Sequence, residues 1–591
     1  MRSFQYKPSS AMSATLLCIA VMLFFGLVYS PLLTAGFADA NDAHYLPPRI
    51  WNPDWSWEEL GRMFYFDRVF KPEGTGGYYQ PLTAVSLRID AWLTRVTSSR
   101  VDATGSLGWL SRAFQFHLTN ILLHVANVGL VFLLVRRLSH SLLWPALLAV
   151  VFACHPVQVE SVASIAQRMT LLGTFFSLLS LLSYVQSREA RWRKTWIVFS
   201  TLGFAASVLC RPQFIALPVV MLVLDVWPFR RAGVRPLIEK IPMFAVMAAA
   251  AVIQWHARGA AAVARPLDGG GVESVAHGFA SLIARLLIPA GISPFQPATV
   301  TVAGLALGLL FDAALMMTGI ALVIVCFRRN RPVFAALSGA GLLILPAVLE
   351  IPYIDTLPSD QYLYAALLIP IAAFAAWIST RKDLLRHLWG RWTAITLGTI
   401  ACVFTVHAHA LTLDWQSSRT LYERTVSLYP AWVRGHVGLV ESLIEENEFD
   451  LALVRAQAAA KRAPDDPSIQ FYLGTILLLS DDSRAADAIA PLRKALASNR
   501  SWIACLQNIG VALVRSGQDQ EAIGYLEKAR DLQPKSAGIR LGLGNAYLKV
   551  RRFASARREF QEALRGRNEP MAHLGLAIAW AANDEFDYAR R

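Results

Sequence analysis

The sequence predicts an all-α chain: a polytopic, GT-C-like helical bundle in a membrane, followed by a helical-repeat solenoid. Three observations carry that prediction. Of 591 residues, 55% are hydrophobic and only 17% charged, and the mean hydropathy is +0.40. This is the balance of a membrane protein with room for a soluble domain. Apolar runs of about 20 residues, the length needed to cross a hydrocarbon core, recur down to residue 411. Beyond that point the composition turns polar and a period of roughly 34 residues sets in.

About eleven apolar runs meet the span criterion, near residues 11–33, 114–135, 142–155, 168–187, 194–210, 212–228, 238–256, 298–327, 332–349, 360–380 and 392–411. The first is longer than a signal-peptide core and lacks a small-residue cleavage site, so it is expected to stay as an anchor. The net charge of +14 resides largely in short clusters between the runs, a pattern that topology explains better than a nucleic-acid partner does. Arg136-Arg137, Arg188 through Lys194, Arg230-Arg231, Arg328-Arg329, Arg331 and Arg381-Lys382 fall on one side, with Arg2 and Lys7. By the positive-inside rule that side is the cytoplasm. The loops at residues 34–112 and 257–297, and everything after residue 412, then face outward. The location expected is the inner (cytoplasmic) membrane, with a cytoplasmic N-terminus. The six cysteines are isolated, with no CxxC and no metal-ligand spacing.

The repeat is read from several positions at once. Leu473-Gly474, Ile509-Gly510, Leu543-Gly544 and Leu574-Gly575 keep one period, as do Ala488, Ala522 and Ala556, and again Ala495, Ala529 and Ala563, with Pro534 closing a unit. Small residues there let the two helices of a tetratricopeptide repeat approach closely. The domains expected are 1–411 in the membrane, a linker at 412–429 and repeats over 430–591.

Polar residues at the outer ends of the runs are the candidates for chemistry, because an ionisable group at membrane depth is costly. GFADANDAHYLPP, residues 36–48, sets Asp39, Asn41, Asp42 and His44 just past the first run. The rest of that loop is dense in aromatics, and WSWEELGRMF reads as an interfacial helix capped by Ser56. FHLTNILLHVAN places His117, Asn120, His124 and Asn127 on one helix face, read either as a helix–helix contact or as a cavity wall. CHPVQVESVASIAQRM adds His155, Glu160, Gln167 and Arg168, and Arg211-Pro212 sits at the next outer junction. Arg168 and Arg211 are read either as phosphate ligands or as side chains snorkelling to headgroups. EIPYIDTLPSDQYLY adds Asp360 and Gln361.

The order NDAHY, YYQPLT, FHLTNILLH, CHPVQVESVA, CRPQFIALPVVMLVLDVWP, LPSDQYLY, DWQSSRTLYERTVSLYP and then the repeats resembles the GT-C glycosyltransferases of the transmembrane and tetratricopeptide-repeat type. The animal members of that family are protein O-mannosyltransferases. The resemblance implies a sugar donor on a polyprenyl phosphate, an exported protein acceptor recruited by the repeat groove, and inversion at C1. It implies Asp42 as general base, with Asp39 second. Arg168, Arg211, Arg258 and Arg285 would serve the donor phosphate, with Arg265 a further candidate. Asn41, His44, Tyr79, Gln80, His117, Asn120, His124, His155, Glu160, Asp360 and Gln361 would line the pocket. No cofactor and no metal ligands are expected beyond the donor itself, with assistance by a divalent metal left open. Partners are the polyprenyl-linked sugar, the acceptor and membrane lipids, and no nucleic acid. The sequence departs from the family pattern where Asn41-Asp42 replaces a pair of acids, where Met169-Thr170 stands for Lys-Asp, and at Gln361 and Gln80, where relatives tend to carry cations. Transfer to a lipid or polysaccharide, and a non-catalytic membrane-anchored scaffold, are the alternatives.

Overall fold

The computed structural model describes residues 8–38, 50, 55–64, 79–104, 113–138, 142–188, 190–231, 233–258, 271–289, 291–293, 295, 321, 323–348, 359–379, 388–565 and 569–582. Among the described residues every regular element is helical. The chain divides into two compact units, Met1–Arg424 and Thr425–Arg591.

In the first unit the helices follow the apolar runs. Pro8–Val28, Phe114–Leu138, Leu143–Cys154, Arg168–Gln186, Arg193–Cys210, Leu217–Val226, Ile241–Arg258, Arg331–Val348, Leu368–Ser379 and Leu388–Asp414 each fill one. The run near 298–327 lies largely outside the described residues. Among the described residues, Phe114–Leu138, Ile165–Gln186, Asp360–Trp377 and Arg391–Asp414 are long and apolar enough to cross a membrane. Leu143–Cys154 and Pro156–Ala163, bent by 58° at His155, make a fifth candidate if taken as one broken span.

The breaks have sequence causes. His155 and Arg211 both precede proline and both adopt extended backbone, at φ −61°, ψ 124° and φ −152°, ψ 122°. Proline disfavours the helical region for the residue before it and removes a helix donor. Each break therefore delivers a polar residue at a helix end. Elsewhere the helices pack closely. Ser180 Oγ donates to the Ser200 carbonyl at 2.6 Å and Ser200 Oγ returns the bond to Ser180 at 2.8 Å. A Cβ on Gly203 would lie 3.1 Å from the Ser180 nitrogen, so small residues set this contact, as is common between membrane helices.

One element departs from expectation. Residues 81–104, expected as part of a long outer loop, form the 24-residue helix Pro81–Thr104 with proline at its first position. Ala84, Leu87, Arg88 and Ala91 are buried at helical spacing while Ile89 and Trp92 are exposed. The helix thus lays a mixed apolar and charged face on the bundle, which a hydropathy window misses. The short helix Trp57–Arg62 does form, and Ser56 Oγ accepts from the Glu59 N–H at 3.2 Å as its cap.

A second charged region lies around Lys240. Its Nζ donates to Asp225 and, at 2.7 Å, to the Tyr184 hydroxyl, while Arg231 bridges Asp225 at 3.1 Å and Glu239 at 2.7 Å. Arg188 pairs with Glu239 at 3.0 Å. Burial alone would raise the Glu239 carboxyl, but the hydrogen bonds and charges of Arg231 and Arg188 outweigh it and hold it down to about 2.

The second unit is a ladder of antiparallel helix pairs: Val433–Glu445 with Phe449–Arg462, Pro467–Ser480 with Ala485–Ser498, Ile503–Arg515 with Asp519–Leu532, and Ala537–Lys549 with Phe553–Leu564, followed by Pro570–Ala581. A Cβ on Gly474 would stand 2.5 Å from Leu492, on Gly510 2.4 Å from Leu526, and on Gly544 2.6 Å from Phe560. The repeating glycine is thus the point where paired helices touch. Asp466 Oδ1 caps Pro467–Ser480 by accepting from the N–H groups of Ser468 and Ile469, each at 3.0 Å. The segment expected as a linker contains the helix Ser418–Leu428. It opens on a reciprocal pair in which Ser417 N donates to Thr420 Oγ1 at 3.1 Å and Thr420 N donates to Ser417 Oγ at 3.2 Å, local capping that favours a helix start over an extended connection.

Candidate functional site

Asp39, Asn41, Asp42, His44 and Arg265 lie outside the described residues, and so does the side chain of Arg258, whose backbone ends the helix Ile241–Arg258. The root of the acidic loop is described. Gly36 N donates to the Gln416 carbonyl at 3.1 Å. The Gly36 carbonyl lies 3.0 Å from His117 Nε2 and can only accept, so that nitrogen carries the proton. Phe37 packs edge-on against Phe116 at 6.1 Å, and Ala38 is buried. The chain therefore leaves the bundle beside the first turn of Phe114–Leu138.

The polar stripe of that helix turns inward. Asn120 Nδ2 donates to the carbonyls of Val162 and Ser164 at 3.1 and 3.0 Å, gripping the broken segment after His155. Asn127 Nδ2 donates to the Leu171 carbonyl at 3.0 Å and to Tyr364 Oη at 3.2 Å, and Tyr364 Oη lies 2.8 Å from His124 Nδ1. These bonds are helix–helix contacts. Of the two readings open for the stripe, they support the structural one for Asn120 and Asn127.

Arg168 is fully buried and closed in. It pairs with Asp90 at 2.6 Å and donates to Asn120 Oδ1 at 2.5 Å, Ser86 Oγ at 2.9 Å and the Phe116 carbonyl at 2.8 Å. Asp90 in turn accepts from Thr119 Oγ1 at 2.8 Å. The guanidinium expected at the donor phosphate is here committed to a carboxylate and three neutral acceptors. Asp90 lies outside the polar motifs at the ends of the apolar runs. Its signal is weak but present: Thr83, Leu87 and Asp90, spaced i, i+4 and i+7, share one helix face.

Arg211 presents the opposite case. It is 4% exposed, held at the helix break by Pro212, and its NH1 group donates to Gln167 Oε1 at 3.1 Å and to the Thr170 hydroxyl. Its Cζ lies 4.7 Å from the centre of the Tyr362 ring. Among the described residues no carboxylate pairs with it. Thr170, one of the departures from the family pattern, is thus a neutral partner where an acid would have neutralised the charge.

Arg285 NH1 lies 2.5 Å from Asp360 Oδ1, and both side chains are buried. Glu160 accepts from the Ser359 hydroxyl and from the backbone N–H of Asp360, so the two acids meet at the start of the turn Asp360–Tyr362. His155 is buried with Nε2 3.2 Å from the Leu286 carbonyl. Tyr79 Oη donates to the Phe64 carbonyl at 3.0 Å, Gln80 is buried, and Gln361 Nε2 donates to Ser359 Oγ at 2.5 Å. The turn at 359–362 thus links Glu160, Asp360 and Arg285 on one side with Arg211, through Tyr362, on the other. Among the described residues no group of three or more His, Cys, Asp or Glu side chains is placed to hold a metal ion.

Such a constellation offers one uncompensated cation and unsatisfied carboxylate oxygens within a few residues, which suits a ligand carrying an anionic group next to hydroxyls.

Tetratricopeptide-repeat family models match residues 437–501 and 513–578, and the second unit carries such repeats. The chain is 29% identical over 197 residues to the protein O-mannosyl-transferase TMTC2 of Mus musculus, a match covering 32% of this chain and 21% of that protein. To the protein O-mannosyl-transferase TMTC4 of Homo sapiens it is 30% identical over 182 residues, covering 28% and 23%. The chain thus spans about a fifth of the length of the curated relatives it matches. The solved chain MamA MSR-1 C2 aligns with 27% of this chain and 90% of its own length at 20% identity and a TM-score of 0.25.

Proposed function

We propose that this protein is a membrane glycosyltransferase that moves a sugar from a polyprenyl-phosphate donor to a hydroxyl of an exported protein. The observation that carries the proposal is Arg211, a buried cation whose hydrogen-bond partners among the described residues are neutral. A buried guanidinium without a carboxylate is costly unless an anion joins it, and a lipid phosphate supplies one. The names of the matched relatives support the class of reaction.

In the proposed reaction the acceptor oxygen attacks C1 of the sugar as the bond from C1 to the phosphate oxygen breaks. The electron pair leaves with the lipid phosphate, whose charge Arg211 stabilises. The acceptor proton passes to the carboxylate of Asp42, with Asp39 second in line. One displacement inverts C1. Arg258 is a further candidate for contact with the phosphate, whereas Arg168 and Arg285 hold the frame through Asp90 and Asp360. The repeats recruit the acceptor from the extracytoplasmic side of the inner membrane, raising its local concentration.

The test is a transfer assay with purified protein, labelled polyprenyl-phosphate-linked mannose and a hydroxyl-bearing peptide. Wild-type protein should glycosylate the peptide, and Asp42→Asn should lower the rate on the order of 100-fold or more. Full transfer by Asp42→Asn would overturn the assignment of the base, and no transfer by the wild type would overturn the reaction.

A further inference from the structure

The charge network around Lys240 is built from two separate connections, one after the helix Arg168–Gln186 and one after Leu217–Val226, and the proposed transfer uses none of its residues. Besides the pairs described above, Arg193 donates to Glu239, and the Arg188 guanidinium covers the Tyr184 ring at 4.5 Å. Four cations, Arg188, Arg193, Arg231 and Lys240, thus share two carboxylates, Asp225 and Glu239, among the described residues. Arg235 is exposed one helical turn before Glu239 and stands close enough to Arg193 to repel its charge. The positive-inside rule asks for basic residues on this side. It does not ask that they be drawn together, which costs repulsion. Like charges gathered over too few acids make a place where an anion completes the set.

The rim of the network is apolar. Val234, Leu237 and Ile238 are exposed at and just before the short helix Arg235–Glu239, at positions that share one helix face. Trp192, next to Arg193 in the chain, is 72% exposed, the placement of a tryptophan at the headgroup level of a membrane. Exposed aliphatic side chains beside gathered cations suit an amphiphile with an anionic head, whereas a soluble polyanion would leave the apolar face uncovered. The place also separates this ligand from the sugar donor. The 18-residue helix Arg193–Cys210 runs from the network to Arg211, a distance of about 27 Å along its axis.

We infer that this network binds the headgroup of an anionic phospholipid, in the leaflet that the basic clusters mark as cytoplasmic, with Arg193 and Arg235 at the phosphate and Trp192 and Ile238 against the apolar part of the lipid. Arg188, Arg231 and Lys240 hold Asp225 and Glu239, and through them fix the frame on which the two contacting arginines stand. The site is independent of the donor and of the transfer reaction.

The experiment measures equilibrium binding of labelled phosphatidylglycerol and of phosphatidylcholine to the full-length protein in detergent. The wild type should bind the anionic lipid on the order of tenfold more tightly than the zwitterionic one. Arg193→Gln with Arg235→Gln leaves Glu239 paired with Arg188 and Arg231. It should weaken phosphatidylglycerol binding on the order of tenfold or more and leave phosphatidylcholine within about twofold. Arg193→Lys with Arg235→Lys should keep most of the affinity. Arg235→Glu, a charge reversal at an exposed position, should weaken binding in the same direction and carries the test where unfolding curves show that the glutamine pair has lost its fold. Arg136→Gln with Arg137→Gln removes as many charges from the end of Phe114–Leu138, where Arg136 lies near Cys18, and should leave phosphatidylglycerol within about twofold. Equal weakening by the two glutamine pairs would replace the site with diffuse charge and overturn it. No weakening by the Arg193 and Arg235 variants, or equal affinity of the wild type for the two lipids, would overturn it as well. Soluble glycerol phosphate binding as tightly as phosphatidylglycerol would assign the cations to a soluble anion and contradict the lipid.

Discussion

Two buried arginines, 43 positions apart in the sequence, are held in opposite ways. Arg168 meets a carboxylate and three neutral acceptors, and Arg211 meets a glutamine, a threonine and the face of a tyrosine. Both looked alike as sequence, since each stands at the outer end of an apolar run. Their burial is also alike, so burial does not separate a structural cation from a ligand-binding one. Partner charge does. A guanidinium already facing a carboxylate gains little from a phosphate, while one with neutral partners keeps its full charge for an anion.

The largest effect expected from this contrast is on stability. Asp90→Leu leaves Arg168 buried and unpaired, and should cost about 3–5 kcal/mol, read as a drop in unfolding temperature in detergent. The double variant Asp90→Leu with Arg168→Met should recover most of that loss, because an apolar pair replaces an ion pair at little cost. Single and double variants of equal stability would break the contrast.

The repeat unit offers a smaller test of a different kind. Gly510→Ala gains about 1 kcal/mol in helix propensity but sets a Cβ 2.4 Å from Leu526 Cγ, where overpacking costs about 1–3 kcal/mol. A net loss is expected and should be confined to the second unit. Cys505 reports it, since its thiol is buried and pushed up to about 12 by burial. Labelling of Cys505 at pH 8 should be slow in the wild type and faster in Gly510→Ala.

A pH effect follows from Glu239. Its folded carboxyl sits at about 2 against an ordinary value of 4.5. The stability it contributes is therefore present above about pH 4.5 and lost as pH falls from there towards 2. Unfolding temperature should fall across that window less steeply in Glu239→Gln than in the wild type. Identical slopes would remove Glu239 from the charge network around Lys240.

Much of this organisation was legible in the sequence, for identifiable reasons. The repeat shows because each glycine and alanine marks a close contact within one 34-residue unit, so the constraint is local and recurs. The inward face of Phe114–Leu138 shows because His117, Asn120, His124 and Asn127 share one side of a helix. Asp90 stayed hidden because its partner lies 78 positions away and its helix alternates apolar and charged residues. The joining of Glu160 to Asp360 and of Arg211 to Tyr362 was hidden for the same reason, since each spans about 150 to 200 positions of chain. Sequence pattern reports periodicity within an element, and it is silent on which elements a bundle brings together.

The smallest structural change sharpens the contrast most. Thr170→Asp would give Arg211 the carboxylate that Arg168 already has in Asp90, and should weaken polyprenyl-phosphate binding several-fold with little change in stability. The most direct measurement is the affinity of the full-length protein for polyprenyl phosphate, compared between wild type, Arg211→Lys and Arg211→Gln. A buried charge-assisted contact predicts a loss on the order of tenfold or more for Arg211→Gln and a smaller loss for Arg211→Lys. Arg211→Gln binding the lipid as tightly as the wild type would contradict the assignment of the donor phosphate to Arg211.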